Sequence, residues 1–249
     1  FVQWQEGGRE IFNLGKVRQK LRDFSGYAPA APARAYKKSD DEKDIPGVKK
    51  FISERNHAGT SSYLEGRGIT SETLQNPLFK NRILKGFEGA VIFPHFNGEG
   101  ACGYEVRSEK LKTFTKKGIK GLWYSQVPKQ LDRIIFTESA IEALSHYQLK
   151  KPDNAAYFSP GGNWDPDTVG RLIEKVIQKY PTVEVVSAFN NDDGGDKHTR
   201  KLEEHASRVG RSLQHDRPPT RDQDWNERLN ESLQITGDLK KKAALRLGR

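Results

Sequence analysis

The stretch Val185–His198, VVSAFNNDDGGDKH, passes from apolar residues to amides, acids and glycines, and then into a charged segment of helical character. Together with the two residues before it, its apolar part reads as a strand, Val183 to Phe189, that leads into these polar residues. Two earlier stretches share the grammar. RIIFTES, Arg133–Ser139, is a short apolar strand ending in Glu138, and Ala140, Ala143, Leu144 and Tyr147 follow at helical spacing. AAYFSPGG, Ala155–Gly162, is a strand closing in a glycine turn. Asp165 and Pro166 then give an N-cap and a first helical residue, and Val169, Leu172, Ile173, Val176, Ile177 and Tyr180 make one apolar stripe. A helix from about Lys197 to Val209 and a weak strand over Ser212–His215 continue the alternation. The pattern predicts an α/β fold with a mainly parallel sheet flanked by helices.

In such a sheet the carboxyl ends of the strands share one edge, where loops build sites. Glu138 and the run Asn190–Asp193 are therefore expected to meet. Oxygen ligands gathered there suit Mg²⁺, which takes one or two carboxylates, keeps water and engages phosphates. Gly194 and Gly195 are expected to turn the backbone sharply into the next helix, whose N-terminus favours anions. Taken singly, each acid reads equally well as a helix cap. Two acid clusters at one sheet edge are harder to assign to capping alone.

Upstream, Val48 onward reads as helical, with a helix end at Gly66 to Gly68 and a new start capped by Thr70 or Ser71. Gly89–Arg107 reads as a hairpin turning on Asn97, Gly98 and Gly100. Beyond it, Arg107, Lys110, Lys112, Lys116, Lys117 and Lys120 crowd one stretch with Phe114, Trp123 and Tyr124 interleaved or adjacent. Charges that follow a backbone and rings that stack bases suit single-stranded nucleic acid; the plainer reading is a solvated loop. Gln3–Phe24 holds a helix-compatible stretch with Ile11, Leu14, Val17 and Leu21 at three- and four-residue spacing, and Gly26–Asp44 reads as a linker. These readings divide the chain into 1–45, a helix and linker; 46–131, a smaller basic α+β subdomain; 132–218, the α/β subdomain; and 219–249, a C-terminal helix and basic tail.

The 249 residues carry a formal charge of +9, which favours a polyanionic partner, nucleic acid first. One cysteine, Cys102, excludes an internal disulfide and a cysteine-based zinc ribbon, and reads as a small buried hydrophobe. No apolar run approaches a membrane span and no signal peptide opens the chain, so a cytoplasmic location is expected. A start at Phe1 and the absence of methionine suggest a piece of a longer polypeptide. Trp225 reads as a packing residue closing the last helix onto the sheet, and Asp224 as a helix cap or outer metal ligand.

FTESAIEAL, followed at a distance by AFNNDDGGDKHTRKL, resembles the Toprim domain of bacterial-type primases, topoisomerases and related nucleases, with its strand-end Glu and later Asp-x-Asp. By position Glu138 matches the single acid and Asp192 the second Asp of the pair. Glu142 falls where primases often place another acid, and Asn190 stands where the first Asp belongs. SSYLEGRGITSETL and AVIFPHFNGEGACGYEVRSEKLKTF resemble the upstream primase core, and DQDWNERL resembles the ending of Toprim segments in plasmid primases and mobilisation proteins. The resemblance implies a Rossmann-like Toprim fold and a DNA primase-type nucleotidyltransferase of a plasmid or other mobile element. It implies Mg²⁺, with Mn²⁺ as substitute, at Glu138, Asn190, Asp192 and Asp193, and catalytic roles for Glu138, Glu142 and Asp192. Arg67, Arg82, Arg107, Lys112, Lys116 and Lys117 would bind nucleic acid. The implied partners are a single-stranded DNA template, nucleoside triphosphates, and relaxase or replication proteins reached through flanking segments. Strand cleavage as in Toprim nucleases, and a catalytically weakened DNA-binding module of a relaxase, stand as alternatives.

Overall fold

The computed structural model describes residues 42–247, with side chains through residue 237. The helix expected over Gln3–Phe24, most of the Gly26–Asp44 linker and the side chains of the basic tail lie outside the described residues. Helix α1 (Ile45–Ser53) starts where the Asp44 carboxylate accepts the Gly47 N–H at 2.8 Å and Pro46 fills the first turn. Two short helices follow, α2 (Ser62–Glu65) capped by Ser61 and α3 (Ser71–Gln75) capped by Thr70, one of the two expected caps. Strands β1 (Leu84–Lys85), β2 (Val91–Asn97), β3 (Gly100–Arg107) and β4 (Lys112–Phe114) then form an antiparallel sheet in chain order. The expected hairpin is β2–β3; Gly100 adopts φ 107° at its turn, where a side chain would strain the backbone.

The second sheet holds β5 (Trp123–Tyr124), β6 (Arg133–Phe136), β7 (Ala155–Ser159), β8 (Glu184–Ser187) and β9 (Gln214–His215) in the order β5-β7-β6-β8-β9. All its pairs are parallel except β5 with β7. Between these strands run α4 (Ala140–Lys150), α5 (Arg171–Lys179) and α6 (Asp193–Arg208), and α7 (Trp225–Leu247) follows. Strand alternation explains the all-apolar text. Ile135, Tyr157 and Val186 face a core shared with α4, α7 and the antiparallel sheet's Val91 and Phe93, whereas Ile134, Phe136, Phe158 and Val185 face Ile173, Ile177 and Leu202.

Three local readings change. Helix α6 begins at Asp193, four residues ahead of the expected Lys197, because Asp192 caps it by accepting the Gly195 N–H at 2.6 Å. Gly194 and Gly195 therefore lie in its first turn. What demands glycine at 195 is close approach: a Cβ there would stand 1.9 Å from the Asn190 carbonyl oxygen. Asp165 caps as expected, but the turn it opens, Pro166–Gly170, is π-helical before α5. No helix among the described residues is long and apolar enough to cross a membrane.

Trp225 fixes the last helix. It is 1% exposed, its indole N–H donates to the Ala188 carbonyl at 2.9 Å, and the His146 ring meets it edge-on at 4.6 Å. Trp225→Ala should cost about 3–5 kcal/mol in chemical denaturation. Trp225→Phe, which keeps a ring but orphans the Ala188 carbonyl, should lose about 1–3 kcal/mol. Equal midpoints for the two variants would show that the hydrogen bond and the missing ring volume are not separate contributions.

Candidate functional site

Strand β6 leads to β7 on one side and its other neighbour, β8, leads to β9 on the opposite side, so the connections that leave the adjacent β6 and β8 run in opposite directions. The crevice beyond the carboxyl ends of β6 and β8 is the switch point of the sheet. Glu138 follows β6 and Asn190 follows β8, and the Asn190 Nδ2 group donates to Glu138 Oε2 at 3.0 Å. A cleft of about 310 Å³ opens here. Its acids are Glu109, Glu138, Glu142 and Asp224, and its bases are Arg67, Arg107 and Lys112.

Each wall has a local cause. Glu142 sits in the first turn of α4, only 6% exposed, and its Oε2 accepts the Asn226 N–H at 3.1 Å. Asp224 reaches the cleft because Asn191 bridges to Gln223, and because Asp224 and Glu227 each accept the other's backbone N–H, at 2.7 and 3.0 Å, to open α7. Asp224 is thus a cap and a cleft acid at once. Asn226 holds the Arg67 backbone: its Nδ2 donates to the Arg67 carbonyl at 2.8 Å. Arg107, at the end of β3, is 8% exposed and donates to Glu105.

The other expected site residues are placed differently. Asp192 does not line the cleft, and one of its oxygens is spent on the α6 cap, although its charge still acts on Glu138. Asp193 is outside the cleft, with an 87% exposed side chain paired to Arg221. Among the described residues no group of three His, Cys, Asp or Glu side chains is arranged to hold a metal ion. Arg82 lies away from the acids, its guanidinium 4.7 Å from the Phe96 ring centre and 4.4 Å from that of Tyr124. Lys116 and Lys117 line a separate depression with Glu42, Lys43 and Asp44. Lys120 is turned inward, donating to the carbonyls of Gly161, at 2.9 Å, and Asn163.

The basic run is therefore divided rather than a single track, and Trp123 is no stacking platform: it is fully buried, with its N–H on the Arg82 carbonyl at 2.7 Å. Cys102 is buried, as expected. A larger groove of about 680 Å³ lies on the antiparallel sheet, lined by Phe51, Tyr63, Phe87, Tyr104 and Leu111 among others. The smaller cleft is the better candidate, because buried titratable groups of both signs converge in it at the switch point.

Burial raises the proton affinity of Glu138, and the neighbouring charges of Asp192 and Asp224 add to it. Burial likewise lifts Glu142 well above the carboxylate range, with Asp224 and Glu138 adding to the shift, and Asp224 is itself raised mainly by burial. Glu105 differs: burial opposes its ionisation, but the hydrogen bond and charge of His95 and the Arg107 guanidinium outweigh it and hold the carboxyl at about 2.

Residues 135–229 match the family model described as Toprim-like, and residues 62–131 match DUF3991, a protein family of unknown function. The chain thus carries a Toprim-like domain behind a β-rich piece. No curated protein matches it. Among solved structures, the primase fragment of the bacteriophage T7 primase-helicase protein is 17% identical, with 83% of this chain and 80% of that one covered and a TM-score of 0.48. The zinc-binding and RNA polymerase domains of the Aquifex aeolicus primase are 16% identical, with 87% of this chain covered and a TM-score of 0.48; the alignment spans 64% of that chain.

A carboxyl whose proton affinity rises on folding supports the fold fully below the ordinary value of about 4.3, and that support is lost as pH rises through its raised value. Glu138, Glu142 and Asp224 act in this sense, while Glu105 is lost only as pH falls toward about 2. His198 acts oppositely, since burial lowers its proton affinity to about 4 and its support is lost as pH falls toward that value, so in a chelating buffer the carboxyls' part is read from a variant rather than from the whole protein's melting curve. Glu142→Gln, which keeps an acceptor for Asn226, should raise the melting temperature above that of the wild type at about pH 7.5 and raise it less at about pH 5. A difference between the two proteins that is the same at both pH values would contradict this electrostatic account.

Proposed function

We propose that this Toprim-like chain is the core of a primase-type nucleotidyltransferase, extending a 3′ hydroxyl on single-stranded DNA with nucleoside triphosphates, in the setting of a plasmid or other mobile element. The observation that carries the reading is one cleft in which Glu138, Glu142 and Asp224 face Arg67, Arg107 and Lys112 at the sheet's switch point. Phosphoryl transfer needs little covalent chemistry from a protein: it needs cations on the phosphates and a site that positions the attacking oxygen. Arg67 and Arg107 are the groups to grip phosphate oxygens. Lys112, exposed at the cleft's rim, offers a point charge to template or triphosphate. Glu138 has one oxygen held by Asn190, and its raised proton affinity suits the other to take the hydroxyl proton.

In chemical kind the cleft's donors suit a hard divalent cation that retains water, although among the described residues no three of the acids are arranged to hold one ion together. The donors are all oxygens, the carboxylates repel one another, and the Asn190 Oδ1 atom is buried without a hydrogen-bond partner. The Asn190 Oδ1 atom with one or two of the carboxylates Glu138, Glu142 and Asp224 would hold the ion, water and phosphate oxygens would complete its shell, and Asp192 would contribute through its field; magnesium, or manganese in its place, would supply charge neutralisation on the triphosphate. Asp193, engaged by Arg221, is a reserve rather than a ligand in this arrangement. A second reading rests on Asn190 itself. An amide that donates to Glu138 lowers the cleft's negative charge, which suits a DNA-binding module that has given up transfer.

Primer synthesis on single-stranded DNA with labelled nucleotides and Mg²⁺ or Mn²⁺ separates the two. The wild-type protein should make primers, and Glu138→Gln should lower the rate by about 100-fold or more. Asn190→Asp should tighten divalent-ion binding in calorimetry and leave synthesis equal or higher. Salt-sensitive DNA binding without synthesis in either protein would favour the binding module.

A further inference from the structure

We propose that His95 and Glu105 are positioning residues that aim the Arg107 guanidinium into the cleft as a grip for a nucleoside triphosphate, an inference that rests on the nucleotide-handling reading above. Glu105 and Arg107 are two residues apart on β3, so both side chains leave the same face of the strand. Glu105 Oε2 accepts from Arg107 Nε at 2.9 Å and lies 2.7 Å from its Nη2. One carboxylate oxygen thus fixes one edge of the guanidinium, and the other edge is left for the cleft that Arg107 lines.

The second oxygen is held in turn. His95 Nε2 lies 3.1 Å from Glu105 Oε1, and His95 Nδ1 lies 2.7 Å from the Gly121 carbonyl oxygen. Both ring nitrogens face acceptors, so the arrangement is complete when each carries a hydrogen. The three residues are 0%, 5% and 8% exposed for His95, Glu105 and Arg107. Burying such a chain of ionisable groups is a poor way to gain stability, since apolar residues of similar volume often do as well or better. What it does supply is a fixed direction for the terminal cation.

The cluster is also keyed to the acidic side of the cleft. Gly161, at φ 67°, presses on it so closely that a Cβ would stand 2.0 Å from Glu105 Oε1 and 2.8 Å from His95 Cε1. The same turn holds the backbone of Glu138: the Gly162 N–H donates to the Glu138 carbonyl at 2.8 Å, and the Ser159 hydroxyl donates to it at 3.0 Å. Lys120 ties that turn to the β-rich piece through the Gly161 and Asn163 carbonyls. Arg107 and Glu138 are thereby set relative to each other through one glycine turn.

The test is the affinity of the full chain for a fluorescent non-hydrolysable ATP analogue with Mg²⁺, measured for the wild-type protein, Glu105→Gln, His95→Gln, Arg107→Ala and the two double variants with Arg107→Ala. Folding of each is checked by thermal melting and near-ultraviolet circular dichroism. Glu105→Gln should weaken binding about tenfold, within the range of coupling between contacting charged groups, and His95→Gln should weaken it less. Neither should weaken it further once Arg107 is gone. Added guanidinium should restore binding to Arg107→Ala but not to its combination with Glu105→Gln, because the carboxylate that seats the ion is missing; a purely structural role predicts equal rescue. Should Glu105→Gln fail to fold, the His95→Gln pair carries the same criterion. Additive losses with wild-type binding intact overturn the positioning role alone, whereas absence of binding by the wild-type protein overturns it together with the nucleotide reading.

Discussion

The central place of β6 in the parallel sheet is the constraint on which the rest depends. A strand paired on both edges and covered on both faces has no freedom of register, so its end is the most rigid point from which a side chain can be presented. Glu138 leaves the sheet there. Its neighbour β8 is equally fixed, and the hydrogen bond from Asn190 to Glu138 ties the two strand ends. Every other wall of the cleft is brought to this pair: Glu142 by the first turn of α4, Asp224 by the pinned start of α7, and Arg107 by the antiparallel sheet.

The cleft keeps opposed charges close without cancelling them. Glu138, Glu142 and Asp224 are held nearer than isolated carboxylates would choose, and burial makes each a reluctant anion. Arg107 is the opposite case, a cation compensated by its own acid, Glu105, on the side away from the cleft. The asymmetry matters chemically. A pre-paired arginine offers its remaining donors at little reorganisation, whereas under-compensated carboxylates favour the arrival of positive charge.

The sheet was legible because its signals are local and repeated: apolar strands, helical stripes and caps recur in fixed order, and Glu138 and Asn190 could be placed at strand ends by counting. Interactions between distant segments were less legible. The pairing of Glu105 with Arg107 follows from strand alternation once β3 is drawn, yet the basic run around it reads as a single feature and hides it. Nothing local in Trp123 distinguishes a buried ring from an exposed one; its burial depends on Phe79 and Phe93, which lie far away in sequence. Asp193 stands beside Asp192 in the sequence, but the first turn of a helix rotates successive residues by about 100°, and this turn sends Asp193 toward Arg221. Gly195 reads as a residue of a sharp turn, whereas what demands glycine there is a backbone approach that no sequence window contains.

The pinned start of α7 has a consequence for the order of events during synthesis. The acids of β6 and α4 are made early, but the wall that carries Asp224, and Asn226 that caps Glu142 and holds the Arg67 backbone, come more than eighty residues later. Until that segment leaves the ribosome, Glu142 has no partner for its Oε2 atom and the cleft has an open side. Chains elongate at about 5–20 residues per second, so the interval lasts several seconds at least. A nascent chain therefore completes its parallel sheet strand by strand, through β8 and then β9, before the last wall of the cleft is made, and the arrival of Trp225 against Ala188 marks the end of that interval.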